Sequence, residues 1–320
     1  MLLMTVEEII DEATRNAIDL DLRVIKSKDN GEEVVAEDVK LRSQEIKEEL
    51  EKAKWMDTIA FVPQKSIEWL RLRQTKVTAS ELGQMVNEGK FGTREQLIQQ
   101  KSKPIDENAK TEPLPYWNAM EFGNRYEDMS ERCYRQRTGV TVKGYGLIPH
   151  RTNPRFGASP DGLAIETGVL LELKSPKSRA VEDTGIIPQY YYQIQGQLEA
   201  CGGLKYCDFV ECKIEETQNS SEYLENVSKD SRQDHGAVIK RIGSSKYEYS
   251  PEYMKPGEVY EWANVDLDVD MTFYWRLKTI RIIRVKRDKE TWERLEKEIG
   301  PFWEEVLNTH KQKIEMNIIL

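Results

Sequence analysis

The chain is short of the residues from which many catalytic centres are built: four cysteines and three histidines in 320 residues. Cys133, Cys201, Cys207 and Cys212 form no C-x-x-C pair and no Cys/His cluster. Zinc sites of the usual spacing are therefore excluded, and buried, reduced thiols are expected. His150, His235 and His310 lie far apart in sequence, which argues against a histidine triad. Acid–base or metal chemistry falls to carboxylates. No apolar run approaches the ~20 residues of a membrane helix, so no membrane partner is expected. The start, Met1-Leu2-Leu3-Met4-Thr5-Val6-Glu7-Glu8, turns acidic too early for a signal peptide, and an intracellular location is expected.

What is present is charge. Charged residues make up 32% of the chain against 38% hydrophobic, with a net charge of −9, a soluble globular balance. The excess is concentrated at one end. Residues 1–57 hold 16 acidic and 9 basic residues. Within them Leu41, Ile46, Leu50 and Trp55 form a loose apolar stripe, separated from an earlier helical run by Asn30-Gly31. This predicts a helical N-terminal extension. By contrast residues 64–103 hold 8 basic and 4 acidic residues. There Thr78-Ala79-Ser80-Glu81 reads as a capping box, which puts Ser80 in a helix's first turn, where N–H groups and the dipole favour an anion such as phosphate.

Further on, Phe122, Tyr126, Met129 and Cys133 mark the buried face of a helix over about 117–137. Glu127 points about 100° away from Tyr126, and Gly123, one turn earlier, leaves space above it. Val140-Thr141-Val142 alternates as a strand and 156–163 is turn chemistry. Val169-Leu170-Leu171-Glu172-Leu173-Lys174 reads as a strand in which Leu171 and Leu173 share one face and Glu172 and Lys174 the other. Charges on a strand this apolar need solvent, mutual pairing or a metal. Pro188 to Ala200 predicts a helix closed by Gly202-Gly203, with Ile194, Leu198 and Cys201 inward and Gln193 and Gln197 on another face. Residues 214–270 read as a polar insertion. Met271 to Arg287 carries six basic residues, no acidic ones, and Phe273, Tyr274 and Trp275. Two readings are open for that strand: a nucleic-acid surface or an edge guarded by charge. A final amphipathic helix is expected near 292–311.

Asp161 follows a Ser-Pro turn and Glu172-Leu173-Lys174 comes eleven residues later. Two carboxylates on neighbouring strand ends suit a hard divalent cation, and an adjacent lysine suits a hydrolytic water and a negatively charged phosphate.

Five stretches in order resemble one family: Arg73 to Ser80, Gly123 to Glu127, Ser159 to Leu163, Leu171 to Pro176, and Tyr190 to Gly196. Together they are similar to the phage lambda exonuclease and YqaJ-type viral recombinase family of PD-(D/E)XK nucleases, over roughly half the chain. The resemblance implies an α/β fold with a restriction-endonuclease-like core, a mixed central sheet flanked by helices. The nuclease-like domain would span 58–320 behind the 1–57 extension. It also implies Mg²⁺ (Mn²⁺ as an alternative), one or two ions, held by Asp161, Glu172 and the main-chain carbonyl of Leu173, with Glu127 toward a second ion. Lys174 would position or activate the attacking water, Gln193 would steady it, and Arg73 and Ser80 would hold a terminal 5′ phosphate. The implied activity is 5′→3′ digestion of double-stranded DNA ends, leaving 3′ overhangs for a single-strand annealing protein. Some relatives form a trimeric ring; a viral protein of this kind would work in the host cytoplasm or nucleus. A structure-specific or nicking endonuclease and a non-catalytic DNA-binding adaptor stay open as alternatives.

Overall fold

A computed structural model describes residues 36–64, 66–105, 114–181, 185–228, 234–244, 246–265 and 268–315. Most of the N-terminal extension, residues 1–35, lies outside the described residues, as does Ser245. The extension's described part is helix α1 (Ala36–Ala53) and a 3-10 turn (Lys54–Thr58). Its inward stripe is Arg42, Ile46, Glu49, Ala53 and Met56; of the expected Leu41, Ile46, Leu50 and Trp55 only Ile46 is buried, and Leu41 is exposed. The 4, 3, 4, 3 spacing is helical, but two positions are charged because the body supplies partners. Arg42 lies over the Tyr206 ring, and Glu49 accepts the Lys205 main-chain N–H.

The chain then builds two sheets. The smaller joins β1 (Val77–Thr78), β3 (Ile148–Pro149) and β4 (Phe156–Ala158) in the order β1-β4-β3. The larger comprises β2 (Val142–Lys143), β5 (Gly162–Ala164), β6 (Val169–Lys174), β7 (Tyr206–Thr217), β8 (His235–Arg241), β9 (Tyr247–Tyr249) and β10 (Val269–Lys286). Its order is β2-β5-β6-β7-β10-β8-β9, and β6–β7 is the parallel pair while the rest are antiparallel. A parallel pair needs a crossover, supplied here by a helix.

Helices α2 (Ile67–Gln74), α3 (Leu82–Met85), α4 (Arg94–Lys101), α5 (Ala119–Thr138), α6 (Pro188–Ala200), α7 (Ser220–Ser228), α8 (Pro256–Ala263) and α9 (Lys289–Glu315) complete the order. α5 ends at Gly139, whose φ of 68° is the left-handed cap that glycine adopts without strain. The expected face of α5, Phe122, Tyr126, Met129 and Cys133, packs on Leu171, Leu173, Val210 and Cys212. Opposite, α6 packs Ile194, Leu198 and Cys201 on Leu170, Cys207 and Phe209. Thus β6 sits between two helices, with alternate side chains serving each. The four cysteines are buried and free. This is a mixed α/β fold with a mixed sheet flanked by helices and a helical N-terminal region, as expected.

Among the described residues, 214–270 contribute the end of β7, α7, β8, β9, α8 and the start of β10, and β8 pairs along the first part of β10. The basic strand β10 pairs with β8 over its first part, Val269 to Arg276, and lies between β7 and β8 only from Tyr274 to Arg276; from Leu277 to Lys286 its ladder is with β7 alone. Four of its cations pair with carboxylates of β7, while Lys286 is exposed. Arg276 and Lys278 bind Glu215 (2.6 and 2.7 Å), Arg281 binds Glu211, and Arg284 grips Asp208 (2.5 and 2.9 Å). Cross-strand carboxylates on β7 answer them, so this strand is a structural seam.

Candidate active site

Strand β6 delivers Glu172 and Lys174 to the α6 side, since Leu171 and Leu173 are committed to α5. Asp161 arrives from the turn before β5. Its main-chain N–H donates to Leu171 O (3.2 Å), and its Oδ2 accepts the Leu173 N–H (2.6 Å). One carboxylate thus clips the β5–β6 hairpin at the point where the two charged side chains leave it.

Glu172 is 0% exposed, and an uncompensated carboxylate at that depth would cost on the order of several kcal/mol. It is compensated three times. Lys174 donates to Oε1, Gln193 Nε2 donates to the same oxygen (2.7 Å), and Gln197 Nε2 donates to Oε2 (2.6 Å). Lys174 keeps 26% side-chain exposure, while its ammonium is turned inward onto Glu172. Burial opposes that charge, but the Glu172 and Asp161 carboxylates outweigh it and raise the lysine's pKa. Burial, then the Glu172 charge, pushes the Asp161 carboxyl well above the usual carboxylate range; Lys174 and the Leu173 N–H pull the other way, and Glu127 adds to the rise. Asp161, Glu172, Lys174 and Glu127 therefore share one electrostatic environment. Glu127 projects from α5 on an exposed position, and a side chain at Gly123 would meet nothing within 4 Å.

Among the described residues no three His, Cys, Asp or Glu side chains stand grouped as ligands of one ion. Glu127, Asp161 and Glu172 are neighbours in charge without converging on a point, because Glu172 is turned to Lys174 and two amides and Asp161 is clipped to β6. In chemistry the set nevertheless fits a hard divalent cation: the carboxylates of Asp161 and Glu172 repel one another, and a single lysine offsets that only in part.

Arg73 and Ser80 occupy a neighbouring turn. Arg73 stacks over the Trp69 ring (4.6 Å) and contacts Glu81 (3.3 Å), which also binds Lys101 (2.9 Å). The capping box is present, with Glu81 Oε2 accepting the Thr78 N–H (2.9 Å). The helix it caps is shorter than expected: one 3-10 turn (Ala79–Glu81) and the four residues of α3. A helix that short contributes little dipole, so the helix-start argument for an anion at Ser80 falls away. Ser80 is exposed, and its hydroxyl lies 3.3 Å from Thr78 Oγ1. Two links tie this turn to the carboxylates. Trp69 Nε1 reaches Ser159 Oγ (3.5 Å), two residues before Asp161, and Gln189 donates to Ser80 O (2.7 Å) one helical turn before Gln193. Gly196 allows the approach, since a Cβ there would lie 2.5 Å from Leu82 Cδ1.

Sequence reasoning does not single out Gln189 and Gln197 as site residues; their i, i+4 spacing with Gln193 is the available signal.

Among solved structures, the chain is similar to an alkaline exonuclease from Laribacter hongkongensis (22% identity, TM-score 0.49, covering 79% of this chain and 98% of that one). It is also similar to a phage-related exonuclease from Haemophilus somnus (11% identity, TM-score 0.43, 75% and 96%). An uncharacterized protein of Acanthamoeba polyphaga mimivirus is 29% identical over 81% of this chain and 56% of its own length. The chain thus spans about half the length of the curated relative it matches. Residues 68–205, which contain every candidate site residue from Arg73 to Gln197, match the family model of the YqaJ-like viral recombinase domain.

Proposed function

We propose that the chain is a metal-dependent DNA nuclease acting 5′→3′ on double-stranded ends and leaving 3′ overhangs. The observation that supports it most is the meeting of Asp161, Glu172 and Lys174 at the end of β6, with Glu127 close enough to perturb Asp161. Asp161, Glu172 and the Leu173 carbonyl would hold Mg²⁺ or Mn²⁺, with Glu127 toward a second ion, supplying Lewis acidity to the phosphodiester and a more acidic attacking water. The protein's own contribution is orientation. Lys174, whose ammonium sits on Glu172, would hydrogen-bond the attacking water and offset charge on the phosphate. Gln193 steadies that ammonium by sharing Glu172 Oε1. Arg73, rigidified by Trp69 and Glu81, takes the terminal 5′ phosphate with the exposed Ser80 hydroxyl. The overhang is a substrate for a single-strand annealing protein.

Linear duplex labelled separately at each end, with 5′ phosphate or 5′ hydroxyl, is the test, run with Mg²⁺ and with EDTA beside closed circular DNA. Progressive release of the 5′ label from phosphorylated ends in Mg²⁺ is expected. Prompt cutting of the circle would replace the exonuclease with an endonuclease, and inert DNA throughout would sink the enzyme reading.

A further inference from the structure

Gln189, Gln193 and Gln197 recur every fourth residue of α6 and so stack along one face. Each amide nitrogen donates away from the helix, to Ser80 O (2.7 Å), Glu172 Oε1 (2.7 Å) and Glu172 Oε2 (2.6 Å) in turn. Gln197 is the deepest of the three, 1% exposed. Its own Oε1 has no hydrogen-bond partner among the described residues. The reverse orientation of the amide would set two acceptors face to face. An apolar side chain would fill the same volume without stranding an oxygen, so packing alone does not account for an amide here. Its polarity is spent on Glu172.

We propose that Gln197 is a positioning residue of the carboxylate site: it locks the Glu172 carboxylate in one orientation and thereby sets the site's affinity for a divalent cation. The proposal rests on the nuclease reading in one respect, that Glu172 is a cation ligand. Lys174 and Gln193 both engage Oε1, which leaves a pivot; the Gln197 contact at Oε2 stops the rotation. Outer partners of this kind change metal affinity rather than the ligand set. Gln195, also buried on α6, is a fitting control, because its amide serves only main chain: Nε2 donates to Lys286 O (3.1 Å), and Oε1 accepts from Asp288 N (2.7 Å).

The probe is Mn²⁺ alone, titrated without DNA into the full chain and followed by electron paramagnetic resonance of the free ion, with melting temperatures measured in EDTA. Gln197→Met and Gln197→Asn should raise the Mn²⁺ Kd about ten- to a hundredfold. Gln195→Met should lower the melting temperature and keep the parental Kd. The asparagine variant keeps an amide one methylene too short, and it carries the test if the methionine variant fails to fold. Parental affinity in a folded Gln197 variant overturns the proposal while leaving the nuclease reading intact. Absence of saturable Mn²⁺ binding by the unaltered protein overturns that reading itself, and the proposal with it.

Discussion

Lys174 stands between two carboxylates at the end of an otherwise apolar strand, and this is where a single substitution is most informative. Lys174→Ala removes the ammonium but not the β6 backbone, so Mg²⁺-dependent digestion should fall by about 10²- to 10³-fold. DNA binding, read by fluorescence anisotropy, should stay within a few-fold; digestion at the parental rate would refute the assigned role. Arg73→Ala is expected to erase the preference for 5′ phosphorylated over 5′ hydroxyl ends. Equal losses on both substrates would instead assign Arg73 to the DNA backbone at large. Asp161, Glu172 and Lys174 are legible from sequence because strand alternation alone puts the last two on one side. Gln197 is legible only as a neighbour of Gln193. Helix periodicity tells which side chains travel together; it does not tell what they meet.

At the scale of elements, the capping of α9 links stability to pH. Asp288 Oδ1 accepts the N–H groups of Glu290 and Thr291 (3.1 Å each), and Oδ2 accepts the Thr291 hydroxyl (2.7 Å). The Thr291 hydroxyl and N–H hold the carboxyl below its ordinary value against a smaller effect of burial. A pKa lowered in the folded state stabilises above the unfolded value and loses that contribution as pH falls through the folded one. Asp288→Ala should therefore cost about 1 kcal/mol at neutral pH. Urea unfolding at stepped pH should show the gap closing in acid, once the parental carboxyl is protonated; a gap independent of pH would mean that the cap's charge is irrelevant. Strand β10 makes the complementary point. Its run of cations invites a nucleic-acid surface until Glu211, Glu215 and Asp208 are found across the ladder. Register with β7 is a long-range property, and the local run of basic residues carries no trace of it.

For the whole molecule the relevant quantity is where charge lies. With a net charge of −9, the proposed DNA substrate needs a local positive surface, and Lys174, Lys177 and Arg179 follow Glu172 with no acidic residue among them. Binding measured in stepped NaCl should weaken linearly on logarithmic axes. A flat response would deny phosphate contacts and with them the proposed substrate. The covalent order of residues was enough for the helices over 119–138 and 188–200 and for β6, because periodicity and turn residues are local signals. Folding in three dimensions alone set β10 beside β7 with β8 along its first part, seated Arg42 and Glu49 of α1 on Tyr206 and Lys205, and shortened the helix after Thr78. It also surrounded Glu172 with amides from a helix some twenty residues away. Each of these depends on a partner distant in the chain, and burial free energy is gained only when both surfaces are present.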